Sequence, residues 1–99
     1  MLISFSIFLP ITTAVAGQTK ETLEKIDALL KKAGTNKSKL LTAQIWLKNI
    51  EADFEGMNAV WNKWVDPHNK PTRACVSATM ARPNILVEIQ VTAAAPSWP

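Results

Sequence analysis

With 99 residues, the chain has room for one small domain with one modest core and too little for two. Its apolar share is ordinary for a globular protein, and its formal charge of +3 with a pI near 9.3 is mildly basic. No arginine-rich run or aromatic-basic interleaving is present, which argues against a nucleic-acid partner, and a single cysteine (Cys75) and single histidine (His68) exclude an internal disulfide and a conventional all-protein zinc site.

Residues Met1 to Ala16 carry no charged side chain. The run Leu2-Ile3-Ser4-Phe5-Ser6-Ile7-Phe8-Leu9 is apolar and Pro10 interrupts it. It is shorter than the about 18–20 apolar residues a bilayer-spanning helix needs, so no membrane partner is expected. Its composition suits a strand from Ile3 to Leu9, broken at Pro10. Ala14-Val15-Ala16 before Gly17 has the small-residue pattern of a signal-peptidase site, although no Lys or Arg supplies the usual basic start. A strand, a secretory leader and a disordered or artefactual leader therefore stay open for this segment.

From Gln18 to Ala33, Leu23, Ile26, Leu29 and Leu30 fall at helical spacing, and Gly34 follows as a C-terminal cap. Six lysines, Lys20, Lys25, Lys31, Lys32, Lys37 and Lys39, cluster on this helix and its exit. Glu21 to Lys25 and Asp27 to Lys31 have the favourable i to i+4 order, as a solvated helix face would. After a polar turn, Leu40 to Lys48 alternates as a strand does, with Leu41, Ala43, Ile45 and Leu47 on one face and Thr42, Gln44 and Trp46 on the other. A second helix is expected over Ala52 to Val65, with Phe54, Met57, Val60, Trp61 and Trp64 as its apolar stripe. Asp66 to Pro71 is rich in turn formers. Strands follow near Thr72 to Thr79 and Ile85 to Ala93, joined by Met80 to Asn84. In the last strand Ile85, Val87, Ile89 and Val91 face one way, and Leu86, Glu88, Gln90 and Thr92 the other.

The expected order is strand-helix-strand-helix-strand-strand. That pattern predicts an α+β two-layer sandwich over residues 1–99, with both helices on one face of a sheet, an atypical segment 1–16 and a fraying tail from Ala94 to Pro99. The opposite sheet face would carry Arg73 and Cys75 or their neighbours, together with Glu88, Gln90, Thr42, Gln44 and Trp46. Being mixed rather than plainly polar, it suits a subunit interface.

Two charges set among small apolar residues carry most of the chemical information: Arg73 in Pro71-Thr72-Arg73-Ala74-Cys75-Val76 and Glu88 in Leu86-Val87-Glu88-Ile89-Gln90-Val91. A half-buried charge is costly unless paired or used. Arg73 offers a fork of donors suited to a carboxylate or phosphate, and Glu88 can orient a water. On spacing alone, the plainer reading is that the two simply pair with each other or with a neighbouring subunit. Cys75 reads as a structural or cleft-lining thiol, since no histidine lies near it in sequence. His68 reads as a solvated loop residue and the tryptophans of the second helix as core. Asn58 is either a pocket group or a plain helix-surface amide.

The segments Gly17-Gln18-Thr19, Ala33-Gly34-Thr35-Asn36-Lys37-Ser38, Asp53-Phe54 to Met57-Asn58, Pro71-Thr72-Arg73-Ala74-Cys75-Val76 and Val87-Glu88-Ile89 occur in the order and spacing of the Rid, or YjgF, family of reactive-intermediate imine deaminases. The chain resembles this family from about Gly17 to Ala95, and around Trp61 and Trp64 it is similar to the short YoaB-type branch. The resemblance implies a chorismate-mutase-like fold and a cytoplasmic homotrimer with ligand clefts between neighbouring subunits. It also implies hydrolysis of enamines and imines such as 2-aminoacrylate to a 2-keto acid and ammonia, without cofactor or metal. By the same resemblance Arg73 grips the substrate carboxylate, Glu88 is the acidic catalytic residue that positions the attacking water, and Cys75 and Asn58 line the substrate site. Relatives place a hairpin before the first helix, a pattern that Met1 to Ala16 does not follow. The competing expectation is a non-catalytic module on the same trimeric fold that binds a small carboxylate or another protein. An RNA-processing role, sometimes attributed to relatives, gains little support from the scattered lysines.

Overall fold

The computed structural model describes the backbone of Leu2–Ser6 and residues 13–94 in full. The elements are β1 (Leu2–Ser6), α1 (Val15–Lys32), a 3-10 turn (Lys37–Lys39), β2 (Leu40–Leu47), α2 (Ile50–Trp64), β3 (Thr72–Ser77) and β4 (Val87–Ala93). This is the expected order. Leu2–Ser6 adopts the strand conformation, while the predicted strand end at Leu9 and Pro10 and the tail beyond Ala94 lie outside the described residues.

Helix α1 starts three residues before the expected Gln18. Ala14 is its N-cap, with no side-chain cap and no acidic residue in the first turn. Packing supplies what capping does not: Val15 lies against the core and beside Gly56 of α2, where a Cβ would stand 2.9 Å from Val15 Cγ1. The far end matches expectation. Gly34 has φ of 79°, and the amides of Gly34 and Thr35 donate to Lys31 O (3.0 Å) and Leu30 O (2.9 Å), a Schellman closure that uses glycine's access to positive φ. Helix α2 opens at Asn49, whose side chain accepts from the Ala52 amide at 3.3 Å, and Glu51 and Asp53 in its first turn complement the helix dipole.

The sheet order is β1-β4-β2-β3. β4 runs antiparallel to both β1 and β2, whereas β3 runs parallel to β2, so β2-α2-β3 is a crossover unit with β3 at the sheet edge. One expected face assignment is corrected. A register shift between Leu40 and Thr42 buries Leu40 and leaves Leu41 57% exposed, after which Ala43, Ile45 and Leu47 point inward. A bulge inserts one residue, and with a side-chain period of two that moves Leu41 to the outer face.

Both helices cover one face of the sheet. Leu23, Ile26 and Leu30 of α1 and Met57 and Trp61 of α2 bury against Ile45, Leu47, Val87, Ile89 and Val91. Three polar residues of α1 are buried with them. Thr19 and Thr22 donate back to the carbonyls of Val15 and Gln18, at 2.7 and 2.8 Å. Gln18 reaches the connection that carries the chain from edge strand β3 past β2 to β4. Its Nε2 donates to Asn84 O and its Oε1 accepts from the Leu86 amide, both at 2.9 Å. Lys48 holds the same connection through Pro83 O at 2.6 Å.

Candidate functional site

Parallel pairing of β3 with β2 decides where Arg73 points. Arg73 is in register with Ala43, and Cys75 with Ile45. Ala43 and Ile45 are buried under the helices, so Arg73 and Cys75 share the helix-covered face, each half-buried. The small side chain of Ala43 leaves room in Arg73's row. Over it lies one stripe of α2: Phe54, Asn58 and Trp61, at i, i+4 and i+7. Arg73 Nη1 donates to Asn58 Oδ1 at 2.6 Å. The guanidinium carbon lies 5.9 Å from the Phe54 ring centre and 5.6 Å from that of Trp61. Two rings and an amide thus orient a cation at the sheet edge. One of its five N–H donors is engaged by Asn58, which leaves the planar fork suited to a bidentate acid group.

Cys75 lies one strand repeat along the same face and carries a free thiol. Burial pushes this thiol above its ordinary value near 9.0, and the neighbouring Arg73 charge only partly offsets the effect. It is protonated at neutral pH, as suits a wall of the site and not a nucleophile. His68 is exposed in the turn after α2, where its amide donates to Asp66 Oδ1 at 2.9 Å. No cluster of His, Cys, Asp or Glu able to hold a metal occurs among the described residues.

Glu88 stands elsewhere. Its neighbours Val87 and Ile89 are fully buried under the helices, so Glu88 projects from the opposite face, in register with Trp46, which in turn pairs with Val76 of β3. Arg73 is level with Ala43, three residues along β2 from Trp46, roughly 10 Å of strand. Within one chain the two charges are therefore on opposite sides of the sheet and do not pair. It is the neighbours of Arg73 and Cys75, namely Thr72, Ala74 and Val76, that share the outer face with Glu88, Gln90, Thr92, Thr42, Gln44 and Trp46. No element among the described residues covers that face. It carries a Thr42–Thr92 hydroxyl contact, a Gln44 amide directed at the Ala74 carbonyl (3.4 Å) and the exposed Val76.

Of the expected site residues, then, Arg73, Asn58 and Cys75 gather at one station and Glu88 does not join them within the chain. Phe54 and Trp61 are the neighbours that sequence alone assigned only to the core. Their i, i+7 relation to Asn58's stripe was visible, but linking it to Arg73 requires the parallel pairing of β3.

The family model described as Endoribonuclease L-PSP matches residues 9–95. A RutC family protein of Haemophilus ducreyi is 47% identical over 77 residues, covering 78% of this chain and 65% of the relative. The RutC family protein YoaB of Escherichia coli is 44% identical over 77 residues, covering 78% of this chain and 67% of its own length. The chain thus spans about two thirds of the curated relatives it matches. A YjgF-family structure from Neisseria meningitidis superposes with a TM-score of 0.86 at 39% identity, covering 98% of this chain and 82% of that one. YyfA of Yersinia pestis, of the Rid family, gives 0.78 at 27% identity, covering 93% and 79%. An arginine anchored on an amide over a two-layer chorismate-mutase-like fold, with a family model spanning nearly the whole sequence, leads to one assignment: the chain belongs to the YjgF/Rid family.

Proposed function

We propose that this protein is an imine deaminase that hydrolyses small 2-imino acids, such as the 2-iminopropanoate formed from 2-aminoacrylate, to the 2-keto acid and ammonia. The observation that carries this reading is the guanidinium of Arg73, oriented by Asn58, Phe54 and Trp61 at an open sheet edge. Arg73 takes the substrate carboxylate in a two-point grip and so fixes the adjacent C=N carbon in space. A protonated imine is already electrophilic. Water adds its oxygen to that carbon and gives up one proton, the C=N pair moves to nitrogen, and a carbinolamine forms. A second proton transfer to nitrogen lets the C–N bond break, releasing ammonia and closing the carbonyl. Glu88 accepts the first proton and returns one to the departing amine. Because Glu88 and Arg73 lie on opposite faces of one sheet, the Glu88 that serves a given Arg73 comes from a neighbouring copy. The uncovered mixed face containing Trp46, Val76 and Glu88 is the surface on which copies meet, in the homotrimer expected of the family. No helix of the described residues is long and apolar enough to cross a membrane, and the assembly is proposed to work in the cytoplasm, with neither metal nor organic cofactor.

The second reading is a small-carboxylate-binding module. What favours it is that Glu88 does not accompany Arg73 within the chain. A coupled assay separates the two, with a pyridoxal-phosphate-dependent dehydratase generating 2-aminoacrylate from serine. The deaminase reading expects faster ammonia and pyruvate release, lost with Arg73→Ala. Near-wild-type acceleration by Arg73→Ala overturns it, and absence of acceleration by a trimeric wild-type protein favours the binding module.

A further inference from the structure

The outer surface of the helix layer carries a concavity whose lining does not include Arg73. Between α1 and α2, Leu23, Val60 and Trp64 form a groove of about 450 Å³ that Lys20, Lys37 and Lys63 also line. An adjoining cavity of about 480 Å³ shares Lys37, Lys63 and Trp64. Each volume falls within the range of small-molecule sites. None of Arg73, Asn58, Cys75 or Glu88 lines either cavity.

Trp64 is held in place as a wall. Its Nε1–H donates to Asp27 Oδ2 at 2.8 Å, and its ring lies 5.4 Å from that of Trp61, tilted by 48°. Trp64 lines both cavities. The Lys37 ammonium sits 5.4 Å from that ring. The three lysines come from three separate segments, α1, the 3-10 turn and α2, and converge on one apolar concavity. Among the described residues Glu24 lines the first cavity with them, the Asp27 carboxylate lies at the edge of Trp64, and Asp66 faces the two shared lysines in the second. Like charges brought together beside low-polarity surface repel, and an anion seated among them relieves that repulsion.

The geometry points to a binding site for a small organic anion with a flat apolar body. The body lies against Trp64, Leu23 and Val60, and the anionic group sits among Lys20, Lys37 and Lys63. Two adjoining open cavities that share one indole and two lysines offer apolar surface beside positive charge, which suits such a molecule better than an acidic peptide without an apolar body.

The test uses 1-naphthyl phosphate on the full chain, followed by calorimetry and by the Trp64 indole N–H resonance. Saturable binding in the submillimolar range is expected, with movement of that resonance. Lys37→Ala with Lys63→Ala is expected to weaken it about tenfold or more, and 1-naphthol or inorganic phosphate alone to bind about tenfold more weakly than the complete probe. Arg73→Ala is expected to leave the affinity unchanged, which separates this site from the proposed substrate station. The inference fails if no saturable binding occurs by about 5 mM, if the double lysine variant binds like wild type, or if 1-naphthol binds as well as its phosphate. It also fails if binding is lost in Arg73→Ala, or if an acidic peptide such as oligoglutamate competes with higher affinity through the same lysines.

Discussion

Replacing Gln18 isolates a buried amide that joins helix α1 to the approach to β4. The side chain is 1% exposed, accepts from the Leu86 amide and donates to the Asn84 carbonyl, both at 2.9 Å. Gln18→Met keeps the volume and removes both hydrogen bonds. Losing the bond to the Asn84 carbonyl costs about 1 kcal/mol, and leaving the part-buried Leu86 N–H without its partner costs about 1–3 kcal/mol, so the variant should lose about 2–4 kcal/mol. For a domain near 100 residues that is a fall in Tm of roughly 10–20 °C. Gln18→Glu gives a sharper signature. One carboxylate oxygen still accepts from Leu86, but the other faces the Asn84 carbonyl where a donor stood. Burial raises this carboxyl's pKa in the folded state above the about 4.3 of the unfolded chain. Protons are then bound more tightly by the folded form. The Gln18→Glu variant should therefore match wild type best below about pH 4 and lose stability as pH rises through the raised folded value. Urea unfolding at one fixed protein concentration, with exchange of the Leu86 amide, provides the measurements. A Gln18→Met loss under about 0.5 kcal/mol with unchanged Leu86 protection would refute the reasoning.

Other perturbations test other contacts. Asn58→Asp places a carboxylate where the Arg73 guanidinium now meets an amide at 2.6 Å. It should compete with a substrate acid group and raise KM about tenfold or more, with a smaller change in kcat, in the 2-aminoacrylate assay. Gly56→Ala gains about 0.8–1 kcal/mol of helix propensity but sets a Cβ 2.9 Å from Val15 Cγ1, so a net loss of about 1 kcal/mol is expected in urea unfolding. The same change in a Val15→Ala background should be neutral or stabilising, and an equal loss in both backgrounds would show that Val15 is not the obstacle. Because Cys75's thiol is raised above 9.0 by burial, the folded form resists its ionisation. Wild-type stability should therefore fall above about pH 9 relative to Cys75→Ala, and alkylation at pH 8 should be slower than for a free thiol. Equal pH profiles for the two proteins would contradict that.

Much of the architecture was legible because it follows from local periodicity. Leu23, Ile26 and Leu30 mark the buried face of α1, and Val87, Ile89 and Val91 that of β4, with no knowledge of their partners. Gly34 announced the end of α1 for an equally local reason, its positive φ. Features set by pairing were not legible. Leu41 looks like a core residue until the register shift against β4 turns it outward. Gln18 appears as one residue of a short motif, whereas its role depends on Leu86, 68 positions away. The site divides in the same way. Arg73 and Asn58 are singled out by their chemistry and by the family pattern, and they do meet. Which side of the sheet each charge occupies depends on strand register, which composition does not reveal.

Register also supplies the most demanding test of the proposed site. Arg73 faces inward with Ala43, and Glu88 faces outward with Trp46. If catalysis needs both, each site takes Arg73 from one copy and Glu88 from another. Arg73→Ala and Glu88→Ala chains, each inactive alone, should then complement when unfolded together and refolded in equal amounts. A site is whole when the copy offering Arg73 and the copy offering Glu88 both carry the intact residue at that position. With random mixing of two chain types that holds for about one site in four, so about a quarter of wild-type turnover should return. A site built within one chain gives no whole sites in any mixture, and activity would stay at the level of the single variants. Mixed trimers shown by mass to have formed, yet with no recovered turnover, would therefore exclude a shared site and return Glu88 to a purely structural place on the outer face.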